Sequence, residues 1–581
     1  MSSSIFAQVA RRADPAAFLA SRRDVLKASL AAGAGLMLSG LVPGAAAAQP
    51  GKNGRRVIVI GAGFAGLACA YELAGLGYDV TVLEARGRLG GRVLSFNDYA
   101  PGTIVEGGAE FIGSNHPAWL AYAKKFNLEM LEVPEWAELS SPLLVDGKLL
   151  GVEEANALHE ALEKTLRRLN LNALVTNAEK PWETPRAAEW DARTMQQWLD
   201  ELDAPEDVKR VVKVQLEADN GQALGQMSYL GQLAQIKGGG CEQYWLHSED
   251  YRCRGGNQQL ALRLADALGA GRIHTGAPVA RIDMNGNRGR VAVMTKDNQR
   301  YEADDVVLAI PPSVWDKIAF ANVDFEREVA GLRMQMGRNI KFFAAIGKTF
   351  WMDDKASPYG LAEGPINLTW NAADAQEVSG AVLAGFAGGP SADVIRNLPA
   401  DQQIPAGLSA LQRLYPKLAA ETVNPRFMNW PADPWVLASY SFPRPGQLTT
   451  IAPLLHQGLR GGFDEPRLHF AGEHMCHAFV GYMEGALQSG IAAARTLAKR
   501  DGLKLPSIPV IPIAPAPTPA NPPAPPETKP EKESSKNAPP APTGDPAAPV
   551  KAPVGEPAKT PTPSGPLTPT GTPRKMQPSG G

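Results

Sequence analysis

A glycine-punctuated run holds the first recognisable chemistry in this chain: Val57 to Arg92 reads VIVIGAGFAGLACAYELAGLGYDVTVLEARGRLGGR. Gly61 and Gly63 allow a tight turn and let backbone amides approach a pyrophosphate, with Ala65 inside the turn; Gly66 lets the next helix lie close against the preceding strand. The start of that helix offers unpaired N–H groups and the positive end of its dipole to an anion. Glu84, roughly 20 residues past the glycines, is placed to hydrogen-bond ribose hydroxyls and disfavours a 2′-phosphate. Ala85, Arg86, Gly91 and Arg92 follow directly, and two fixed cations around a glycine pair suit a pyrophosphate. A dinucleotide fits this spacing. A second chemical candidate is Lys341, alone in the apolar run GRNIKFFAAIGKTFW. An ammonium flanked by Ile340, Phe342 and Phe343 is costly unless partnered, so it is either functional or turned to solvent on the strand's other face.

The elements that must position these groups are legible around them. Val57 to Ile60 are four β-branched residues, the pattern of a strand buried on both faces of a parallel sheet. Leu67 to Leu76 carry the helix, Gly77 stops it, and Asp79 to Leu83 form a second strand. Arg272 to Asp283 reads as strand, turn, strand, and ADDVVLAIPP as a buried strand stopped by Pro311 and Pro312. Residues from about Ala118 to Trp245 show apolar residues at helical period and no recognisable chemistry of their own.

The whole chain sets bounds. Its 581 residues suffice for two or three domains, and a net charge of −2 gives no sign of nucleic acid or an anionic membrane as partner. Of the 4 cysteines only Cys241 and Cys253 could form a bridge. His474 and His477 flank Cys476 without further ligands nearby, so no metal is expected. Ser21 to Lys27 (SRRDVLK) resembles the twin-arginine export consensus, and Ala45 to Ala48 supply small residues for cleavage near Ala48. The apolar run between them is broken by Gly33, Gly35 and Gly40, so no membrane span is expected there. Export through the twin-arginine translocase would make the protein periplasmic or secreted. From about Leu505 the chain turns to Pro, Ala, Thr, Gly and Lys, the composition of an extended, disordered tail.

With its arginine pair, the string from Val57 to Arg92 resembles the extended FAD fingerprint of the amine oxidase family: monoamine, polyamine and L-amino acid oxidases. The resemblance covers roughly residues 55 to 500. It implies an α/β (overall α+β) protein with a glutathione-reductase-type Rossmann FAD-binding domain interleaved with a mixed-sheet and helical substrate domain. The expected division is 1–50 signal; 55–117, 249–330 and 455–500 FAD-binding; 118–248 and 331–454 substrate-binding; 505–581 tail. The resemblance places Gly107 and Gly108 beside the flavin, Val279 at the adenine end, and Trp430 along the isoalloxazine. Gly472 ends a strand, Glu473 bonds the ribityl or phosphate region, and Met483 opens the final helix toward the flavin. A serine, Ser439, stands where covalent relatives carry cysteine, which implies non-covalent FAD.

The family resemblance also implies chemistry: a hydride equivalent leaves the carbon bearing a neutral amine, the imine is hydrolysed, and O2 is reduced to H2O2. Tyr440 and Tyr482 align with the two aromatic rings that face the amine, and Lys341 with the lysine that holds a water near flavin N5. Where amino acid oxidases carry a carboxylate-clamping arginine, this chain has Glu110. That residue either favours a cationic amine or polyamine, or pairs with a neighbouring arginine and never meets substrate. Arg444 keeps an alternative open, an L-amino acid oxidase or a tryptophan 2-monooxygenase-like enzyme. A further alternative is a non-catalytic FAD-fold binding protein. Expected partners are a small amine or amino acid and O2, with a homodimer possible.

Overall fold

A computed structural model describes residues 15–37 and 54–505, apart from 135, 137–138, 287–288, 324–330, 332, 379, 419–421 and 504. The expected cleavage site near Ala48 and the proline-rich stretch beyond 505 lie outside these residues. The nucleotide fingerprint builds a five-stranded parallel sheet, whose order in space is Leu468–Phe470, Asp305–Leu308, Arg56–Ile60, Asp79–Leu83, Ile273–His274. Distant stretches of sequence thus meet in one sheet. Arg56–Ile60 sits at its centre with Val57 to Ile60 all buried, as its unbroken apolar run requires.

Helix Phe64–Gly75 follows the first strand, and the last long helix, Met483–Arg500, packs along it. Two glycines permit the close approach. A Cβ on Gly66 would stand 1.9 Å from the Gly61 carbonyl oxygen, and one on Gly490 would stand 2.2 Å from that of Ala65. Buried Asp305 ties this layer together. It sits against Arg500, Arg55, Arg467 and His469 with no side-chain exposure, and these partners hold its carboxyl at about 2, against the upward push of burial.

The second layer is a seven-stranded sheet in the order Thr422–Asn429, Asn339–Ile346, Ala381–Gly388, Leu368–Asn371, Gly360–Ala362, Leu143–Val145, Lys148–Leu149. The last two strands come from the stretch expected to be mainly helical. They are too short for a strand period to stand out beside helices such as Val152–Leu166 and Glu206–Asn220. Asn339–Ile346 is buried throughout, between two antiparallel neighbours. Its pleat divides it: Ile340, Phe342, Ala344 and Ile346 join a core beneath helix Ala400–Leu414, while Asn339 and Lys341 face the other way.

The stretch read as an export signal contains a helix, Pro15–Leu36, packed on helix Pro117–Phe126. Arg22 is buried, pairing with Asp250 (3.7 Å) and Glu132 (3.6 Å) over the Tyr251 ring, while Arg23 is exposed. A Cβ on Gly33 would lie 2.2 Å from the Pro117 carbonyl oxygen, so this face of the helix fits only glycine. Among the described residues no helix is long and apolar enough to cross a membrane. All four cysteines are free, so the one bridge the sequence left open, Cys241 to Cys253, does not form.

Candidate functional site

One elongated cavity of about 290 Å³ runs between the two layers and gathers most of the candidate residues. Gly61, Gly63, Ala65, Glu84, Ala85, Arg86, Gly91, Arg92 and Val279 line one end; Gly108, Glu110, Lys341, Trp430, Tyr440, Gly472, Glu473, Tyr482 and Met483 line the rest. Two expected contacts are absent from its wall. Gly66 is spent on the helix–strand approach, as its spacing predicts. Gly107 packs instead on Phe96, whose ring a Cβ there would meet at 2.4 Å, and its carbonyl accepts from Trp430 Nε1 at 2.9 Å.

The first end fits a dinucleotide. Helix Phe64–Gly75 begins at Gly63 with no side chain capping it, so its first amides remain available to an anion beside the cavity. Glu84 is buried, and its two oxygens accept from Ala62 N (2.7 Å) and Arg86 N (2.8 Å), which fixes the carboxylate and leaves further lone pairs for ribose hydroxyls. Arg86 and Arg92 reach the cavity wall but are also held by protein. Arg86 pairs with Asp433 (2.5 Å), and Arg92 donates to Glu473 Oε1 and the Ser439 carbonyl, both at 2.8 Å.

Glu473 lines the cavity and is also held by protein groups. Besides Arg92 it accepts from Ser441 N (3.1 Å), Ser441 Oγ (2.6 Å) and Gly481 N (2.9 Å). One buried carboxylate therefore joins the neighbour of Tyr440 to the neighbour of Tyr482. Burial pushes this carboxyl up, but Arg92 and the other partners outweigh it and hold it below the ordinary range. The two tyrosines come together as a result. A Cβ on Gly481 would stand 3.0 Å from the Tyr440 ring, and Tyr440 Oη donates to the Asp219 carbonyl at 2.6 Å. Burial raises both phenols well above their ordinary value, so they stay protonated.

Lys341 is buried and fully engaged on one side. It donates to Glu110 Oε2 at 2.7 Å and to the Glu106 carbonyl at 2.9 Å. Glu110 in turn takes Arg252 Nε (3.0 Å) and Nη2 (2.8 Å) and Trp370 Nε1 (2.8 Å) on its other oxygen. Burial would raise the Glu110 carboxyl, but Lys341 and Arg252 hold it below its ordinary range. Of its two expected roles, the pairing with a neighbouring arginine is observed, joined by a second pairing with Lys341. Arg444 is exposed and does not line the cavity, so it supplies no carboxylate clamp.

Several cavity residues come from the stretch that showed no chemistry by sequence, Asp219, Asn220, Gln235 and Tyr244, and Ser248 and Glu249 follow just beyond it. Asp219 sits at the end of helix Glu206–Asn220, which stops at Gly221 with φ +65°. A polar Asp-Asn-Gly ending on an amphipathic helix was the one local signal available there. Ser439 is buried, with Oγ donating to Asn339 Oδ1 at 2.6 Å. Burial pushes His474 and His477 down to about 4 and about 3, which leaves both neutral, and among the described residues no group of three His, Cys, Asp or Glu could hold a metal.

Comparison with known proteins agrees with this geometry. The family model for flavin containing amine oxidoreductase matches residues 64–498. The flavin-containing amine oxidases B of Sus scrofa and Homo sapiens are each 28% identical over 475 residues, covering 76% of this chain and 85% of theirs. Among solved structures, the cyclohexylamine oxidase of Brevibacterium oxydans superposes with a TM-score of 0.68 at 25% identity, over 77% of this chain and 99% of its own. A putrescine oxidase bound to putrescine shares the fold at the same TM-score and coverage, with 23% identity. The family model spans well over half of the chain, which therefore belongs to the flavin-containing amine oxidoreductases, as an FAD-dependent enzyme.

Proposed function

We propose that the protein oxidatively deaminates small cationic amines, such as diamines or polyamines, with O2 as acceptor. The observation that carries this reading is the charge of the cavity wall around Tyr440 and Tyr482. Asp219 borders Tyr440 and Glu249 lines the same cavity, while of its lysines Lys341 is committed to Glu110 and Lys317 to the Pro434 carbonyl. The arginines on the wall are both engaged, Arg86 with Asp433 and Arg92 with Glu473 and the Ser439 carbonyl. A substrate carboxylate finds no guanidinium to grip, whereas a second ammonium group finds acids.

Gly61, Gly63 and Ala65 would hold the pyrophosphate of FAD, Glu84 its ribose, and Trp430 would border its ring. When bound, FAD supplies the acceptor for a hydride equivalent from the amine carbon and returns the electrons to O2, giving H2O2. The protein orients and dries the amine. Two protonated phenols flank the reacting nitrogen, and Lys341 retains one donor for a water in the chamber. No side chain need act as a strong base if the amine arrives neutral. Ser439, an alcohol tied to Asn339, supports non-covalent attachment. The SRRDVLK segment supports export by the twin-arginine route.

Acid precipitation of the purified protein should release a yellow chromophore. Putrescine, spermidine or tyramine should bleach it anaerobically and yield peroxide in air. Peroxide from L-phenylalanine or L-arginine, with none from the amines, would falsify the reading.

A further inference from the structure

We propose that Glu110 is a positioning residue of the oxidation, acting through Lys341 rather than on substrate; the role of Lys341 rests on the oxidase reading above. An ammonium has three N–H donors around a fixed Cε–Nζ axis. Two are taken, by Glu110 Oε2 at 2.7 Å and the Glu106 carbonyl at 2.9 Å. With two directions committed, the third is determined, and Lys341 lies on the chamber wall. Side-chain rotation no longer chooses where that donor goes; Glu110 does.

Glu110 can impose this because it is itself immobilised. Its side chain is 2% exposed, against 7% for Lys341 and 5% for Arg252. Arg252 is anchored in turn on the carbonyls of Asn371 (3.2 Å) and Asp374 (3.4 Å), and Trp370, the other donor to Glu110, belongs to the same strand as Asn371. The carboxylate thus pins Lys341, on the strand Asn339–Ile346, to a neighbouring part of the same sheet. It also offsets one of two buried cations: Lys341, Arg252 and Glu110 together carry a single positive charge. Without the carboxylate, two ammonium-type groups would face each other with no anion between them.

The position is therefore not a binding site for the substrate's second amine. Arg252 and Trp370 crowd its Oε1 and Lys341 holds its Oε2, and with the side chain 2% exposed a substrate cation could reach it only by displacing Lys341 or Arg252.

The test is a double-mutant cycle on the holoenzyme, with flavin reduction by amine and reoxidation by O2 timed separately. Lys341→Met identifies which half-reaction depends on the lysine. Glu110→Gln should slow that same half-reaction by on the order of tenfold to a hundredfold, with the KM for amine unchanged within about threefold. In the Lys341→Met background Glu110→Gln should add nothing, and Glu110→Asp, which keeps the charge, should recover part of the loss. The proposal is overturned if Glu110→Gln costs the same factor with and without Lys341, or if it raises the KM for amine more than about tenfold while both half-reactions keep their rates. It is also overturned if Lys341→Met changes neither half-reaction; amine-dependent bleaching in that variant would leave the oxidase reading standing. Should Glu110→Gln fail to hold FAD, the same cycle run with Glu110→Asp must show the same non-additivity.

Discussion

Replacing Glu106 with glutamine should make the protein more stable in alkali and leave it nearly unchanged in mild acid. The Glu106 side chain is 4% exposed, and burial pushes its carboxyl from 4.5 up to about 7. The folded chain therefore grips this proton more tightly than the unfolded chain does. As pH rises from 4.5 through 7 the native state must surrender it, and stability falls by about 1.4 kcal/mol for each pH unit crossed. Full ionisation costs about 3 kcal/mol. Below 4.5 both states hold the proton and the cost vanishes. Glutamine has no such proton and keeps the geometry. Its oxygen can accept from Asn257 N, as Oε1 does at 2.7 Å, and its amide can donate to Ser95 Oγ, now 2.8 Å from Oε2. Thermal unfolding of the holoenzyme, followed by flavin release, would compare Glu106→Gln with the parent at pH 5 and pH 8.5. The melting temperatures should agree to within about 1 °C at pH 5, with the variant about 4 °C higher at pH 8.5, scaling to this chain length the few degrees per kcal/mol of smaller domains. Equal differences at both pH values would refute the reasoning, as would a variant that is less stable in alkali.

Gly490→Ala should weaken FAD retention, because its methyl would meet the Ala65 carbonyl at 2.2 Å and force apart the two helices behind the pyrophosphate site. A cost of about 1–3 kcal/mol is expected, read as faster flavin loss on dilution or heating, with Ala492→Gly as an exposed control. Tyr440→Phe removes the bond to the Asp219 carbonyl but keeps the ring, so stability should fall by about 1 kcal/mol. Flavin reduction should slow less than in Tyr440→Leu, which deletes the aromatic wall; a phenylalanine variant as slow as the leucine one would mean that the hydroxyl, not the ring, does the work.

The nucleotide half of the site was legible because its determinants are local: the turn glycines, the helix start and Glu84 all lie within one strand–helix–strand unit. Lys341 stood out for a similar reason, a charge in an apolar strand. Its partner did not. Glu110 lies 231 residues before Lys341 and 142 before Arg252, and which of them it meets depends on how two sheets stack. Sequence alone therefore left it between a substrate contact and an internal ion pair. Asp219, Gln235 and Tyr244 were hidden differently. They stand on or beside helices whose apolar period reports the core they pack on, and that period says nothing of which polar neighbour borders the cavity. Gly107 was assigned to the flavin by its neighbour Gly108, but only one of two consecutive residues faces the cleft.

The docked helix Pro15–Leu36 gives the start of the chain a tertiary address. Arg22 and Arg23 are adjacent in sequence yet one is locked inside while its neighbour stands in water. A receptor that grips both as a pair cannot do so while the helix is seated; it must arrive before docking or extract Arg22 from Asp250 and Tyr251. Under the proposed twin-arginine export, timing as well as sequence would then decide which molecules carry a readable label.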